Sequence, residues 1–276
     1  MLASRFAKSA RFLRSDNPLS DDQIRGVAPS IFAEGAHESR SERYTYIPTI
    51  DVLSALRKEG FEPFFVTQAQ ARSEGKRAHT KHMLRLRHAG DLHGNGEANE
   101  IILLNSHDGT SAYQMLAGMF RFVCSNGLVC GETVGEVRVP HKGNVTQQVV
   151  AGAYDILDGF TRVVEEREGM QAVTLGQGEQ IAFARAALAL RYDAEAGAPP
   201  VTENQLLTPR RFDDVGSDLW RTFNRVQEHM IGGGLEGRAA SGRRTTTRPV
   251  HGIGQNVHLN RALWVLADEM RKLRAA

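Results

Sequence analysis

The residues with the widest chemical repertoire are crowded into one stretch, Asn105, Ser106, His107, Asp108, Gly109, Thr110 and Ser111, which reads NSHDGTS. The apolar run EIILL enters it, and a longer apolar run leaves it. A nucleophilic reading would use Ser106 or Ser111 with His107 and Asp108. Such triads are assembled from distant parts of a chain, and sequence neighbours do not make one. There is also no G-x-S-x-G elbow. A metal reading would use Asp91, His93, His107 and Asp108, with His79, His82 and His88 close by in sequence. The chain has no H-E-x-x-H, no C-x-x-C and no spaced Cys-His ligand pairs. His107 and Asp108, being adjacent, would point to opposite faces of an extended segment and would not serve one ion. No catalytic residue, metal or cofactor is assigned. A turn explains more: Asp-Gly between two apolar runs is a strong hairpin signal, and the surrounding Asn, Ser and Thr can satisfy turn backbone groups. A turn does not require His107, which leaves it as a candidate ligand contact.

Other catalytic signatures are missing. Cys124 and Cys130 carry no local nucleophile pattern and read as small buried apolar groups in a reducing compartment. The glycine-rich segments GDLHGNG and GLEGRAASGRRTT do not sit between a strand and a helix with phosphate-loop spacing. Nucleotide hydrolysis is therefore not expected.

The elements that must position these residues follow from periodicity. IPTIDVLSALRKEG reads as a helix with Thr49 as N-cap and Gly60 just past the end. FEPFFVTQAQAR and KHMLRLRH read as strands, the second with His82, Leu84 and Leu86 on one face and Met83, Arg85 and Arg87 on the other. EIILL is a strand buried on both faces. SAYQMLAGMFRFVCSNG is read as a strand, after weighing a helix, because Phe, Val and Tyr favour strands and Asp-Gly precedes it. LVCGETVGEVRVP supplies a further strand or two. From Asn144 the pattern turns helical, with one long amphipathic helix over 144–169 and three more towards the C-terminus. This block order predicts an α+β fold: a central antiparallel sheet over about 60–140, flanked by an N-terminal helix and a helical C-terminal half. The expected divisions are a polar, basic arm over 1–45, an α+β core over 46–196, and a helical region over 197–276 with an Arg/Gly-rich mobile loop at 232–256.

With 276 residues, 41% hydrophobic and 24% charged, the composition is that of an ordinary globular protein. The sequence shows no signal-peptide pattern and no apolar run near the roughly 18 residues that span a bilayer. A cytoplasmic protein with no membrane partner is expected. The net charge of only +2 does not by itself argue for nucleic acid. Placement argues more: Lys81, Arg85, Arg87, Arg121, Arg138 and Lys142 fall on or beside the strand cluster, and Arg238, Arg243, Arg244 and Arg248 crowd the late loop. Cations alternating along strands, interleaved with Tyr113, Phe120 and Phe122, would make a row that tracks a single-stranded backbone and stacks its bases. Asn105, His107, Tyr113 and Asn126 would then lie at the sheet edge as further contacts. The expectation is a non-enzymatic, oligomeric protein that binds or anneals single-stranded DNA. An anti-restriction or anti-defence protein acting on a host partner by protein–protein interaction, and a metal-dependent nuclease around Asp91, His93, His107 and Asp108, are the alternatives.

The segments PTIDVLSALRKEGFEP, KHMLRLRH, LLNSHDGTSAYQ, FRFVCSNGLV, LWRTFNRVQEHMIGGGL and NVHLNRALWVLADEM together resemble a family known only as domain of unknown function number 932, found on phages and plasmids. The resemblance covers roughly 48–270. It implies a prokaryotic mobile-element protein in the cytoplasm and supplies neither an activity nor catalytic residues. The order of a helix, strands and a long helix also looks like the β-β-β-α core of phage single-strand annealing proteins of the RecT and Red-beta type. That likeness implies oligomeric assembly and a basic groove for single-stranded DNA.

Overall fold

The first strands and helices of the chain are arranged around β2 (Phe61–Gln68). Pro63, which has no N–H to donate, sits at a register shift between β2 and its neighbour, so the ladder loses nothing there. In a computed structural model, residues 12–35, 46–70, 74–91, 96–122, 126–130, 135–193, 195 and 197–275 are described. β1 (Phe12–Arg14) pairs antiparallel with β2, and α1 (Asp21–Val27) and α2 (Thr49–Lys58) precede it in the chain. β3 (His82–His88), β4 (Glu97–Asn105) and β5 (Tyr113–Arg121) add in sequence order, all antiparallel. β6 (Asn126–Val129) ends the path, and β7 (Glu136–Val139) pairs with β5 over Tyr113–Leu116. The fold is α+β with an antiparallel sheet, as the block order implied.

The register assigns each sheet residue to a face. His82 lies opposite Asn105, Leu84 opposite Leu103, Leu103 opposite Met115 and Met115 opposite Val137. This row faces α2 and α3 (Val145–Asp158), which pack on the sheet and on each other. Gly152 of α3 makes the close approach possible. A Cβ there would stand 2.5 Å from Met115 Cε and 2.6 Å from Val137 Cγ1. On the opposite face lie Arg85, Ile102 and Leu116.

The chain divides into two compact units: residues 1–127 with 135–160, and residues 128–134 with 161–276. The second is helical: α4 (Phe160–Ala172), whose first residue closes the first unit, α5 (Gln177–Arg191), α6 (Glu203–Leu207), α7 (Leu219–Gly232) and α8 (Ile253–Ala275). A two-stranded hairpin, β8 (Glu236–Arg238) and β9 (Arg244–Thr246), lies between α7 and α8. Trp264 of α8, Trp220 and Phe223 of α7 form one aromatic cluster, with ring centroids 5.5–6.1 Å apart. The sequence reading grouped α5 with the sheet, but its helical contacts are with α6, α7 and α8.

Four local expectations change. The expected polar, basic arm carries regular elements, β1 and α1, and Ser20 with Gln23 forms a capping box for α1, a signal present in the S-x-x-Q spacing. Thr49 is the first residue of α2 rather than its cap, which frees its hydroxyl for other bonds. The helix expected over 144–169 is two helices. Gly159 N–H bonds to Ile156 at 3.1 Å, tightening the last turn of α3 before α4 begins. The loop expected to be mobile at 232–256 contains a hairpin pinned by glycines. Gly233, at φ +62°, closes α7 against the Thr247–Arg248 backbone, where a Cβ would meet backbone atoms at 2.6 Å. Gly237 passes so close to Pro200 that a Cβ would stand 1.9 Å from its carbonyl oxygen.

The close fit of α3 on the sheet yields a testable outcome. Gly152→Val is expected to lower stability by about 1–3 kcal/mol through overpacking. Gly178→Ala, on α5 with open space around it, is expected to be neutral or slightly stabilising. Thermal melts followed by circular dichroism compare the two.

Candidate nucleic-acid interface

The expected cation row does not form one open face. Arg85 and Arg87 lie on the same side of β3, whereas Arg121, opposite Glu97, belongs to the other side of the sheet. All three are buried. Glu100, 1% exposed, holds the first two: its Oε2 lies 3.2 Å from Arg85 Nη1 and its Oε1 3.0 Å from Arg87 Nη2. The Arg87 guanidinium is further enclosed by the rings of Phe64, Phe120 and Phe122, at 4.3, 4.7 and 5.1 Å from their centroids. Gly127 leaves room for Arg85, because a Cβ there would overlap its Nη1 at 1.4 Å. Arg121 is paired with Glu97 at 3.4 Å. Burying charge is tolerable only when it is paired and hydrogen-bonded. These arginines therefore serve the interior. Arg138 is exposed but chelated by Glu136 at 2.6 Å, Lys142 is exposed and Lys81 is half-buried.

The residues expected at the sheet edge lie inside. Asn105, His107 and Tyr113 have no exposed surface, and the side chain of Asn126 lies outside the described residues. They converge on Thr49 at the start of α2. Its hydroxyl lies 2.9 Å from His82 Nε2, 3.1 Å from His107 Nε2, 3.0 Å from Asn105 Nδ2 and 3.2 Å from the Tyr113 hydroxyl. Hydrogen-bond capacity orders the protons. Ser30 donates to Gln68 Oε1 at 2.8 Å, so it accepts from His82 Nδ1–H, also at 2.8 Å. His82 Nε2 is then an acceptor and takes the Thr49 proton, leaving Thr49 to accept from Asn105 and from His107 Nε2–H. Asn105 Oδ1 in turn accepts from His141 Nε2, 3.0 Å away. Tyr113 donates to the Ile47 carbonyl at 3.2 Å. Thr49–His82 thus has the geometry of a hydroxyl and its general base, and Thr49 is fully buried.

Burial sets the charge state of this network. His82 is lowered to about 3 by desolvation, with His107 adding repulsion. His107 is lowered to about 4 by desolvation and by His141 and His79, and its Nδ1 has no hydrogen-bond partner. His141 is lowered by burial as well. Burial thus favours the neutral imidazole at His82, His107 and His141. The turn beyond them is as expected: Gly109 has φ +77°, and Asp108 Oδ1 accepts from Thr110 N–H at 2.9 Å and from its hydroxyl at 2.6 Å. Burial would raise the Asp108 pKa, but the bonds from Thr110 and Ser106 outweigh it and lower it. Among the described residues no group of three or more His, Cys, Asp or Glu side chains is placed to hold a metal ion. Of the metal-ligand types considered, His93 and the Asp91 side chain lie outside the described residues, as does Cys124; Cys130 is buried.

The cations of the late segment are placed differently. Arg238, Arg243, Arg244 and Arg248 are all exposed, and none is paired with a carboxylate among the described residues. The hairpin that carries them is braced by backbone bonds from Gly234 to Thr247, Thr247 to Leu235 and Arg238 to Pro200, at 2.8–2.9 Å. Arg191 adds bonds to the carbonyls of Met230 and Arg248. Glu236, Gly237, Arg238, Arg244, Thr245 and Thr246 line an open cleft of about 440 Å³ on the hairpin. Charge density alone had marked this segment; its order was hidden because the glycines that read as mobility serve close approach.

The chain is thus α+β, with a buried polar network under the start of α2 and an arginine-bearing hairpin in its second unit. It belongs to the family described as Domain of unknown function (DUF932), whose model matches residues 36–264. Two proteins of Escherichia coli (strain K12), UPF0380 protein YafZ and UPF0380 protein YfjQ, are each 56% identical over 269 residues, covering 98% of this chain and 97% of theirs. No solved structure matches. No helix among the described residues is long and apolar enough to cross a membrane.

Two outcomes test the interior chemistry. Glu100→Ala leaves two buried guanidinium groups without their carboxylate and is expected to cost about 3–5 kcal/mol in urea unfolding; a loss under about 1 kcal/mol would mean that the arginines reach water. The histidine pKa values are depressed in the folded state, so the unfolded chain binds more protons below its own value near 6.5. The stabilisation from neutral His82 and His107 is full above pH 6.5 and falls as pH drops through 6.5 towards 4 and 3. At about pH 4.5 the two rings together are expected to cost on the order of 5 kcal/mol, read as a shift of urea midpoint that His107→Gln reduces.

Proposed function

We propose that this is a non-enzymatic DNA-binding protein of replication or recombination, in keeping with the mobile-element setting that its family resemblance implies. The observation that supports the reading is the hairpin segment of the second unit, where Arg238, Arg243, Arg244 and Arg248 are exposed with no carboxylate partner among the described residues. Exposed guanidinium groups on a braced ribbon neutralise phosphates at little ordering cost, and arginine matches phosphate geometry with two parallel N–H bonds. The contact is to the backbone and carries no base sequence. The row first expected on the sheet contributes less, since Arg85, Arg87 and Arg121 are engaged with Glu100 and Glu97.

Fluorescence anisotropy with labelled single- and double-stranded oligonucleotides, titrated over about 50–300 mM salt, tests this. Four neutralised phosphates give a slope of log affinity against log salt of about −3 to −4. Arg243→Glu with Arg244→Glu is expected to weaken binding at least about tenfold, with the circular dichroism spectrum unchanged, by removing two of those contacts and adding repulsion. No binding by the intact chain at the lowest salt would overturn the reading.

A further inference from the structure

The register of the β8–β9 hairpin sorts its side chains onto two faces. Glu236 lies opposite Thr246, Gly237 opposite Thr245 and Arg238 opposite Arg244. Side chains alternate along a strand, so Glu236, Arg238, Arg244 and Thr246 share one face, and all four are exposed. Gly237 and Thr245 belong to the other face and are half-buried, with Gly237 against the Pro200 carbonyl. The backbone beneath the exposed face is fixed. Arg238 N–H donates to the Pro200 carbonyl at 2.9 Å, and Gln205 Nε2 donates to the Glu236 carbonyl at 2.7 Å. The tip is closed by Ala239 N–H to the Arg243 carbonyl and Gly242 N–H to the Ala239 carbonyl, at 2.9 and 2.8 Å.

This face holds two like charges on one rung. Cations directly opposite each other in a ladder repel, and Arg243 adds a third beside them. Arg238 gives one N–H to the Gly242 carbonyl at 3.2 Å, and Arg244 makes no side-chain bond among the described residues. Glu236 shares the face and pairs with neither arginine. A surface rich in acceptors, laid against the rung, removes the repulsion. Charge, width and residue type select that surface. Against phosphates alone Glu236 is a repulsive neighbour. A G·C pair seen from the major groove presents the O6 and N7 acceptors of guanine beside the N4 donor of cytosine, which suit arginine and glutamate in turn. The major groove, about 12 Å wide, admits a two-stranded ribbon, and the minor groove, about 6 Å wide, is too narrow for one. Glu236 and Arg238 stand about 7 Å apart along β8, close to two base-pair steps. From Glu236 to Arg248 the chain has no aromatic residue, so this ribbon offers no stacking platform of the kind that grips single strands.

Resting on the DNA-binding reading above and going beyond its backbone contact, we infer that Arg238 and Arg244 form a guanine-reading rung: the exposed face of the hairpin enters the major groove of duplex DNA. On other nucleic acids all four arginines sit on phosphates. On a G·C duplex Arg238 and Arg244 turn to guanine O6 and N7, while Arg243 and Arg248 stay on the backbone. Fluorescence anisotropy of the full chain with a G·C duplex, an A·T duplex and oligo-dT of equal length tests this. The G·C duplex is expected to bind at least about tenfold tighter than either of the others. Its salt slope is expected near about −2, for two phosphates, against about −3 to −4 on the A·T duplex. Replacing its guanines by 7-deazaguanine, which keeps charge and pairing and removes N7, is expected to weaken binding at least about fivefold. Arg238→Lys with Arg244→Lys keeps both charges and loses the two-pronged donor geometry. It is expected to lower affinity for the G·C duplex at least about fivefold more than for the A·T duplex, with the circular dichroism spectrum retained. Equal affinity for the two duplexes, a 7-deazaguanine duplex bound as tightly as its parent, or tightest binding to oligo-dT would overturn the rung. Salt-dependent binding in any of those cases leaves the DNA-binding reading standing. An intact chain that binds none of the three removes both.

Discussion

One carboxylate decides which cations of this protein can meet a polyanion. Glu100 lies inside the sheet between Arg85 and Arg87 and holds both out of water. A guanidinium in that position cannot leave to bind phosphate without stranding the other charges, so the pair behaves as a fixed part of the core. Glu97 does the same for Arg121 on the other side of the sheet. What looked like an open, positively charged row along the strands is a set of buried arginines paired to Glu100 and Glu97, with aromatic walls around Arg87. The buried strand arginines of the first unit are held by carboxylates, whereas Arg238, Arg243, Arg244 and Arg248 of the second are exposed with no carboxylate partner among the described residues, which is why the binding proposal rests on them.

The same economy explains the polar residues of the β4–β5 turn. Asp108, Gly109 and Thr110 make the turn, while Ser106 closes it by accepting from Ser111 N–H at 2.9 Å. Asn105 and His107 belong instead to the network centred on Thr49, which fastens the first turn of α2 to β3, β4 and β5. A buried hydroxyl that donates once and accepts twice is fully used, and each partner's tautomer or amide orientation follows from it. Such a network specifies how the helix seats on the sheet more sharply than apolar packing would. The burial that seats the helix is also what favours the neutral form of its histidines.

Much of this was legible in the sequence, and the failures share a cause. The strands from β2 to β5, the Asp-Gly turn and the helical second half follow from periodicity and turn chemistry, which are local. The partners of Arg85 and Arg87 were not legible because Glu100 is thirteen residues from Arg87 along the chain and meets it only through the β3–β4 register. Alternation along a strand says which residues share a face, and it cannot say whether that face meets water or a second layer. Thr49 was misread for a related reason: a Thr after Pro at a helix start fits an N-cap, and only the tertiary position of His82 shows that its hydroxyl is used elsewhere. Ser20 and Gln23 are the counter-case, a local capping box that was readable at its spacing and passed over because the surrounding residues are polar.

The late glycine- and arginine-rich segment carries the same lesson towards function. Glycine is compatible with mobility and with close approach, and composition does not separate them. Gly237 against the Pro200 carbonyl and Gly233 at positive φ show close approach. The consequence is energetic. A disordered arginine tail must lose backbone freedom when it binds, roughly 1–2 kcal/mol for each residue fixed. A ribbon already braced by Arg191, Gln205 and the Thr247 bonds has met that cost during folding. The guanidinium groups of Arg238, Arg243, Arg244 and Arg248 are presented on or just beyond that ordered ribbon. Folding energy spent on holding exposed groups rigid makes little contribution to the stability of the unit itself, which is why the binding proposal rests on the hairpin rather than on the buried histidine network.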